Sequence, residues 1–132
     1  MRSAVLADSG PLYARVDEAD ARHLDARRDL EMLNRERRDV VIAYPILLET
    51  YSLVLQRLGI VAAHKWISLL AGTFFINPDI EDYERAVATV RDFPDQRITL
   101  VDATVAALAL RFRLKIWTYD HHFDVMRAPV WR

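Results

Sequence analysis

Cysteine is absent from the chain, which excludes disulfides, thiolate zinc centres and thiol nucleophiles and leaves carboxylates and four histidines as the available metal ligands. Glycine is scarce at three residues and proline at five, and no low-complexity tract or internal repeat breaks the sequence, so no linker divides it. No apolar run approaches the roughly 20 residues that a membrane-spanning helix needs, and the amino-terminal segment lacks the basic-then-apolar pattern of a secretory signal. A cytoplasmic protein with no membrane association is therefore expected. An excess of positive charge is also missing. The formal net charge is -1, so any contact with a polyanion has to be made by local charge rather than by the molecule as a whole.

What the chain does have is apolar bulk. With 132 residues, 52% of them hydrophobic, it can bury about two-thirds of the surface it would expose unfolded, enough for one core and a single domain over residues 1–132. Basic residues gather in two places. Arg22, Arg27, Arg28, Arg35, Arg37 and Arg38 form one cluster and Arg111, Arg113 and Lys115 another. The first is interleaved with Asp25, Asp29, Glu31 and Glu36, a pattern that favours a salt-bridged, solvated helix face over a nucleic-acid track.

Local patterns alternate between strand and helix. Residues 3–7 (SAVLA) form a buried strand that ends on Asp8-Ser9-Gly10-Pro11, a cluster of turn and helix-start residues. Ala21, Leu24, Ala26, Leu30 and Leu33 make an imperfect helical stripe, which predicts one helix from about Asp17 to Arg38. Val40–Ala43 is a second strand, Pro45–Leu58 a helix stopped by Gly59, and 60–71 a further helix. A strand over Thr73–Ile76 stops at Asn77-Pro78. A helix over Asp79–Arg91 follows, broken by Phe93-Pro94-Asp95. An Ala- and Leu-rich helix over Thr99–Arg113, a strand at Ile116–Thr118 and a short turn or helix over His121–Met126 come next, with Val130–Trp131 as a last edge strand. Strands that alternate with helices predict an α/β fold: a three-layer α/β/α domain around a short, mainly parallel sheet.

In such sheets ligands gather beyond the carboxyl ends of the strands, where the strand order reverses. Asp8 closes the first strand and Asp120 follows the last helix-bounded one, so both fall at such ends, although an Asp there also serves as an ordinary helix cap. Asp102 lies three residues after Thr99, in the spacing of a capping box. Glu49 lies on the helical stripe of Ser52 and Gln56, away from Leu48, Tyr51 and Leu55, which a solvated face would also explain. His23 and His64 sit on helices in contexts that suit packing or exposure. Trp66, Phe74, Phe75, Tyr83 and Phe93 suit a core better than base stacking.

The strings VLADSG, PILLET, ITLVDATVAALA and WTYDHHF resemble, in order and rough spacing, the four acidic motifs of PIN domains, and in particular of VapC-type toxins from bacterial toxin–antitoxin pairs. The resemblance spans nearly the whole chain. It implies a quartet of Asp8, Glu49, Asp102 and Asp120 that binds magnesium or manganese and hydrolyses RNA; within it we assign Asp8 and Asp120 as direct ligands, with Glu49 and Asp102 binding through waters or orienting the attacking water. Ser9 and Thr118 would fix the neighbouring carboxylates or a phosphate by hydrogen bonds, unless each hydroxyl only satisfies local backbone. Many relatives carry a further acid two residues after the fourth; here His122 stands there, which points to a single ion and leaves His122 either to contact a phosphate or to be inert. The resemblance also implies a small antitoxin partner and a homodimer, for which the apolar stretch Leu47–Ala71 would supply a face. An alternative reading is a catalytically incomplete PIN-like module that binds RNA or protein. A phosphoacceptor receiver is disfavoured: Leu6-Ala7 stand before Asp8 where an acid would be needed, the third strand ends at Asn77-Pro78, and Lys115 precedes its strand.

Overall fold

The computed structural model describes residues 3–132. Strand β1 (Ala4–Ala7) is buried at every position, as a wholly apolar run in a parallel sheet requires. Helices α1 (Ser9–Val16) and α2 (His23–Arg35) lead to β2 (Asp39–Ala43), and α3 (Tyr44–Leu58) and α4 (Ile60–Ser68) lead to β3 (Phe74–Ile76). Helices α5 (Ile80–Asp92) and α6 (Leu100–Phe112) precede β4 (Lys115–Trp117), and α7 (His122–Val125) closes the chain.

The sheet is parallel throughout, in the order β3-β2-β1-β4. From β1 to β3 the chain steps in one direction, and from β3 to β4 it returns past β1. Right-handed crossovers then place α1–α4 on one face and α5–α6 on the other, which makes three layers. The packing agrees: α1 lies against α2 and α3, α3 against α4, and α5 against α6. The core between the layers is built on Val5, Leu6, Ile42, Leu108, Ile116, Trp117 and Phe123, all fully buried.

Two expected elements are corrected. The single helix over Asp17–Arg38 is replaced by the end of α1, a turn, and α2. The Asp17 and Asp20 carboxylates accept from the backbone N–H groups of Ala19 and Arg22, at 2.9 and 2.8 Å, and hold the chain in turns. Such local side-chain bonds compete with the helix, so the polar residues 17–22 break it despite adequate spacing around them. Ala26 and Leu33 are buried on α2, whereas Leu24 is exposed. The expected edge strand at Val130–Trp131 amounts to one parallel bridge between Ile116 and Val130.

The aromatic residues divide. Trp66 is buried and Phe75 and Phe93 are half-buried, but Phe74 and Tyr83 are exposed, contrary to the expected core role. His23 bonds the Ala14 carbonyl and His64 is exposed. In the arginine-rich segment Arg22 and Arg28 both pair with Asp25, and Arg38 with Glu36.

The scarcity of glycine shows at the helix ends. Arg37, Arg113 and Arg127 all have φ near +57°, the left-handed region usual for glycine after a helix. In each case the next residue's N–H bonds a carbonyl five residues back: Arg38 to Leu33, Leu114 to Ala109 and Ala128 to Phe123. All three turns then feed the amino end of a strand or bridge.

One buried ion pair ties α5 to α6. The carboxylate of Asp82, 0% exposed, accepts two bonds from the Arg111 guanidinium at 3.0 and 2.7 Å and also takes the Asp79 N–H of a capping box. These contacts hold its pKa below the ordinary value, the Arg111 bonds contributing most. Arg111→Ala would strand that carboxylate and should destabilise the fold by about 2–3 kcal/mol. Urea unfolding checks this, and a double variant Asp82→Asn, Arg111→Met should recover much of the loss.

Candidate metal centre

Because β4 returns beside β1, the carboxyl ends of these two strands border the point where the strand order reverses. The Asp8 N–H is bonded to the Trp117 carbonyl at 2.9 Å, which fixes the chain leaving β1 against the end of β4. Beyond that seam lies a cleft of about 380 Å³. Asp8, Ser9, Glu49, Thr99, Asp102, Tyr119 and Asp120 line it. All four acids of the expected quartet thus share one cleft, delivered by the start of α1, by α3, by the start of α6 and by the loop after β4.

Asp8 is the most enclosed, at 4% exposure. As N-cap of α1 it accepts the Ser9 N–H on Oδ1 at 2.9 Å, and the Thr118 hydroxyl donates to its Oδ2 at 2.8 Å. Burial nevertheless pushes its carboxyl up to about 7, with the charges of Asp102 and Glu49 adding to the rise against the two hydrogen bonds. The Thr118 hydroxyl also accepts the Asp120 N–H at 3.0 Å, so one side chain positions two acids. Ser9 donates its hydroxyl to Glu49 Oε1. Both hydroxyls thus stand on carboxylates.

Asp102 combines two functions. It is the third residue of α6 and forms a reciprocal capping box with Thr99, its N–H bonding Thr99 Oγ1 at 3.0 Å while its Oδ2 takes the Thr99 N–H at 3.3 Å. The carboxyl faces the cleft as well, and its pKa is raised, chiefly by burial, with Asp120 and Glu49 contributing. Asp120 Oδ1 takes the His122 N–H at 2.9 Å and lies 3.0 Å from His122 Nδ1, so His122 holds this acid in place. Sequence reasoning did not single out Tyr119, which lines the cleft from within the WTYDHHF string; an aromatic between two polar residues gave no periodic signal.

Among the described residues no basic side chain pairs with Asp8, Glu49 or Asp102, and burial raises the Asp8 and Asp102 carboxyls, with other acids adding to the rise. The donors are oxygens, the ligand type preferred by hard divalent cations, so the residues fit magnesium or manganese. Their spacing is loose. Within 4.8 Å of one another lie ligand atoms of Asp120, His121 and His122, and among the described residues no three of the four carboxylates come as close.

A doubly wound parallel domain with an acidic cleft at its reversal point is the class these features define. The family model of the PIN domain matches residues 5–129, and the chain belongs to that family. No curated protein sequence gives a match. Solved structures do. The chain is similar to VapC20 of Mycobacterium tuberculosis, described as a sarcin–ricin-loop-cleaving toxin, with a TM-score of 0.84, 21% identity and coverage of 98% of this chain and 99% of that one. It is similar to VapBC2 of Rickettsia felis, solved bound to a promoter DNA fragment, with a TM-score of 0.75, 11% identity and coverage of 98% and 97%. A toxin–antitoxin complex from Klebsiella pneumoniae gives 0.72, 19% identity and 97% of each chain. At these identities the likeness is one of fold.

The Asp8 shift makes stability depend on pH. Between the ordinary value of 3.8 and about 7 the folded state keeps a proton that the unfolded chain has released, so this contribution is full below 3.8 and is lost as pH rises toward 7. In metal-free buffer, Asp8→Asn should remove that slope and exceed the wild type in stability at pH 8 by a few kcal/mol at most, on the order of the three-unit shift. Urea midpoints of both proteins at pH 5.5 and 8 test this; equal slopes would contradict the assignment.

Proposed function

We propose that the chain is a divalent-metal-dependent endoribonuclease, the toxin component of a bacterial toxin–antitoxin pair acting in the cytoplasm. The observation that carries this reading is the convergence of Asp8, Glu49, Asp102 and Asp120 on one cleft, where burial raises the Asp8 carboxyl and its acidic neighbours add to the rise. A protein gains nothing structurally from such a cluster unless a cation or proton neutralises it. When bound, a magnesium or manganese ion supplies Lewis acidity and an acidified water. Asp8 and Asp120 would hold it directly, and Glu49 and Asp102 would orient the water that attacks the phosphodiester.

The chain's own hydroxyls keep this set in register. Ser9 orients Glu49, and Thr118 spans Asp8 and Asp120. The toxin assignment is supported by the family, and by the fold it shares with VapC20 and the toxin–antitoxin complexes. It brings a small antitoxin as partner. Leu48, Leu55, Ile60, Val61 and Ile67, exposed along α3 and α4, support pairing of two copies. No helix of the described residues is long and apolar enough to cross a membrane.

Purified protein incubated with total RNA should cleave it only with magnesium or manganese, and a chelator should stop the reaction. Asp8→Asn should lower the rate by about a hundredfold or more while circular dichroism shows the fold retained. Cleavage by that variant at the wild-type rate would refute the proposal.

A further inference from the structure

We propose that a second cavity, adjoining the acidic cleft and about 550 Å³ in volume, is a nucleobase subsite that selects guanine through the carboxylate of Asp29. This rests on the ribonuclease reading and adds to it the base that the cleaved strand presents. The cavity and the cleft share Tyr119 and Asp120, so a strand with a phosphate in the cleft has a neighbouring nucleotide at the cavity mouth.

The floor is built around a fixed carboxylate. Asp29 Oδ2 accepts the Trp117 Nε1–H at 3.3 Å and the Tyr119 hydroxyl at 2.6 Å, and Oδ1 takes neither bond. Trp117 is fully buried and anchors this pair to the core. A carboxylate accepts and does not donate. Guanine presents adjacent donors, the ring N1–H and the 2-amino group, to such a partner. Adenine and cytosine set an amino group beside a ring acceptor, and uracil flanks its N3–H with two carbonyls. Single-stranded RNA is commonly read in this way, by a base splayed into a pocket and bonded on its pairing edge.

The charges distinguish a base from a phosphate as occupant. Arg22, Arg28 and Arg132 line the cavity, but Asp29, Glu36, Asp120 and Asp124 line it too, so the interior has no positive excess to hold an anion. The guanidinium groups lie at the exposed rim. Arg22 stacks 4.0 Å above the Tyr119 ring, and the rim arginines pair with the surface acids Asp25 and Asp124. Exposed pairs of this kind contribute little and yield readily to a phosphate. The rim therefore meets the backbone of a strand while the floor meets an uncharged base with donors. A cationic peptide side chain suits the floor but is opposed by the same rim.

Trp117 and Trp131 both line the cavity, so indole fluorescence reports its occupancy. Wild-type protein in chelator is titrated with the 5′-monophosphates of guanosine, adenosine, cytidine, uridine and inosine. The guanosine nucleotide should bind about tenfold tighter than the adenosine, cytidine and uridine nucleotides, as expected for a hydrogen bond to a charged group. Inosine monophosphate, which lacks the 2-amino group, should fall between. Asp29→Asn should level the preference, and the inosine comparison tests the same contact without any substitution. Equal quenching by all nucleotides, no quenching, or quenching by arginine amide alone would overturn the inference. Guanine-selective binding without RNA cleavage in magnesium or manganese would sink the ribonuclease reading and leave the subsite standing. Cleavage without guanine preference would do the reverse.

Discussion

A carboxylate buried at the seam between two parallel strands governs the rest of the molecule. Asp8 follows β1, a strand with neighbours on both sides, and β4 reaches its place beside β1 only because the chain turns back after β3. Burial disfavours the charged form by several kcal/mol in an unpaired site, and two hydrogen bonds offset part of that cost. The acids of α3 and α6 increase the penalty instead of relieving it. A stable fold could place apolar residues there more cheaply, so the arrangement supports the proposed cation site.

The scaffold that imposes this constraint also sets the limits of adjustment. Thr118 is bonded to both Asp8 and Asp120, and Asp102 caps α6 with one oxygen while facing the cleft. Each acid is therefore held by a neighbour that also has a structural task. Asp102 belongs equally to folding and to the site, because the same carboxyl satisfies an orphan N–H at a helix start.

Much of this was legible in the sequence. Short apolar runs bounded by turn residues located all four strands, and the placement of Asp8 and Asp120 at strand ends followed from them. Failures had local causes. The segment 17–38 carried helical spacing, but Asp17 and Asp20 satisfy nearby N–H groups in turns, which spacing does not register. On α3 a single buried stripe was expected through Leu48, Tyr51 and Leu55. The helix instead buries Ile46, Thr50 and Val54, and leaves Leu48 67% exposed. Packed against α1, α4 and the sheet, it has contacts on several sides, so one-stripe periodicity misjudges it, and Glu49 turns half-buried toward Ser9 rather than to solvent. The contact between Asp29 and the two aromatic side chains of β4 and its loop spans about ninety positions, a separation that no local pattern encodes.

The left-handed arginines after three helices have an electrical consequence. Holding a side-chain-bearing residue in that conformation costs on the order of 1 kcal/mol each, and glycine would relieve it. The exposed guanidinium groups of Arg37 and Arg113 instead stand where the chain enters β2 and β4, at the sheet margin opposite the acidic mouth. Near-zero net charge thus does not mean an absence of local charge at the two ends of the sheet. Fixed charges of opposite sign at the two ends of the sheet bias which end first meets an ion of either sign.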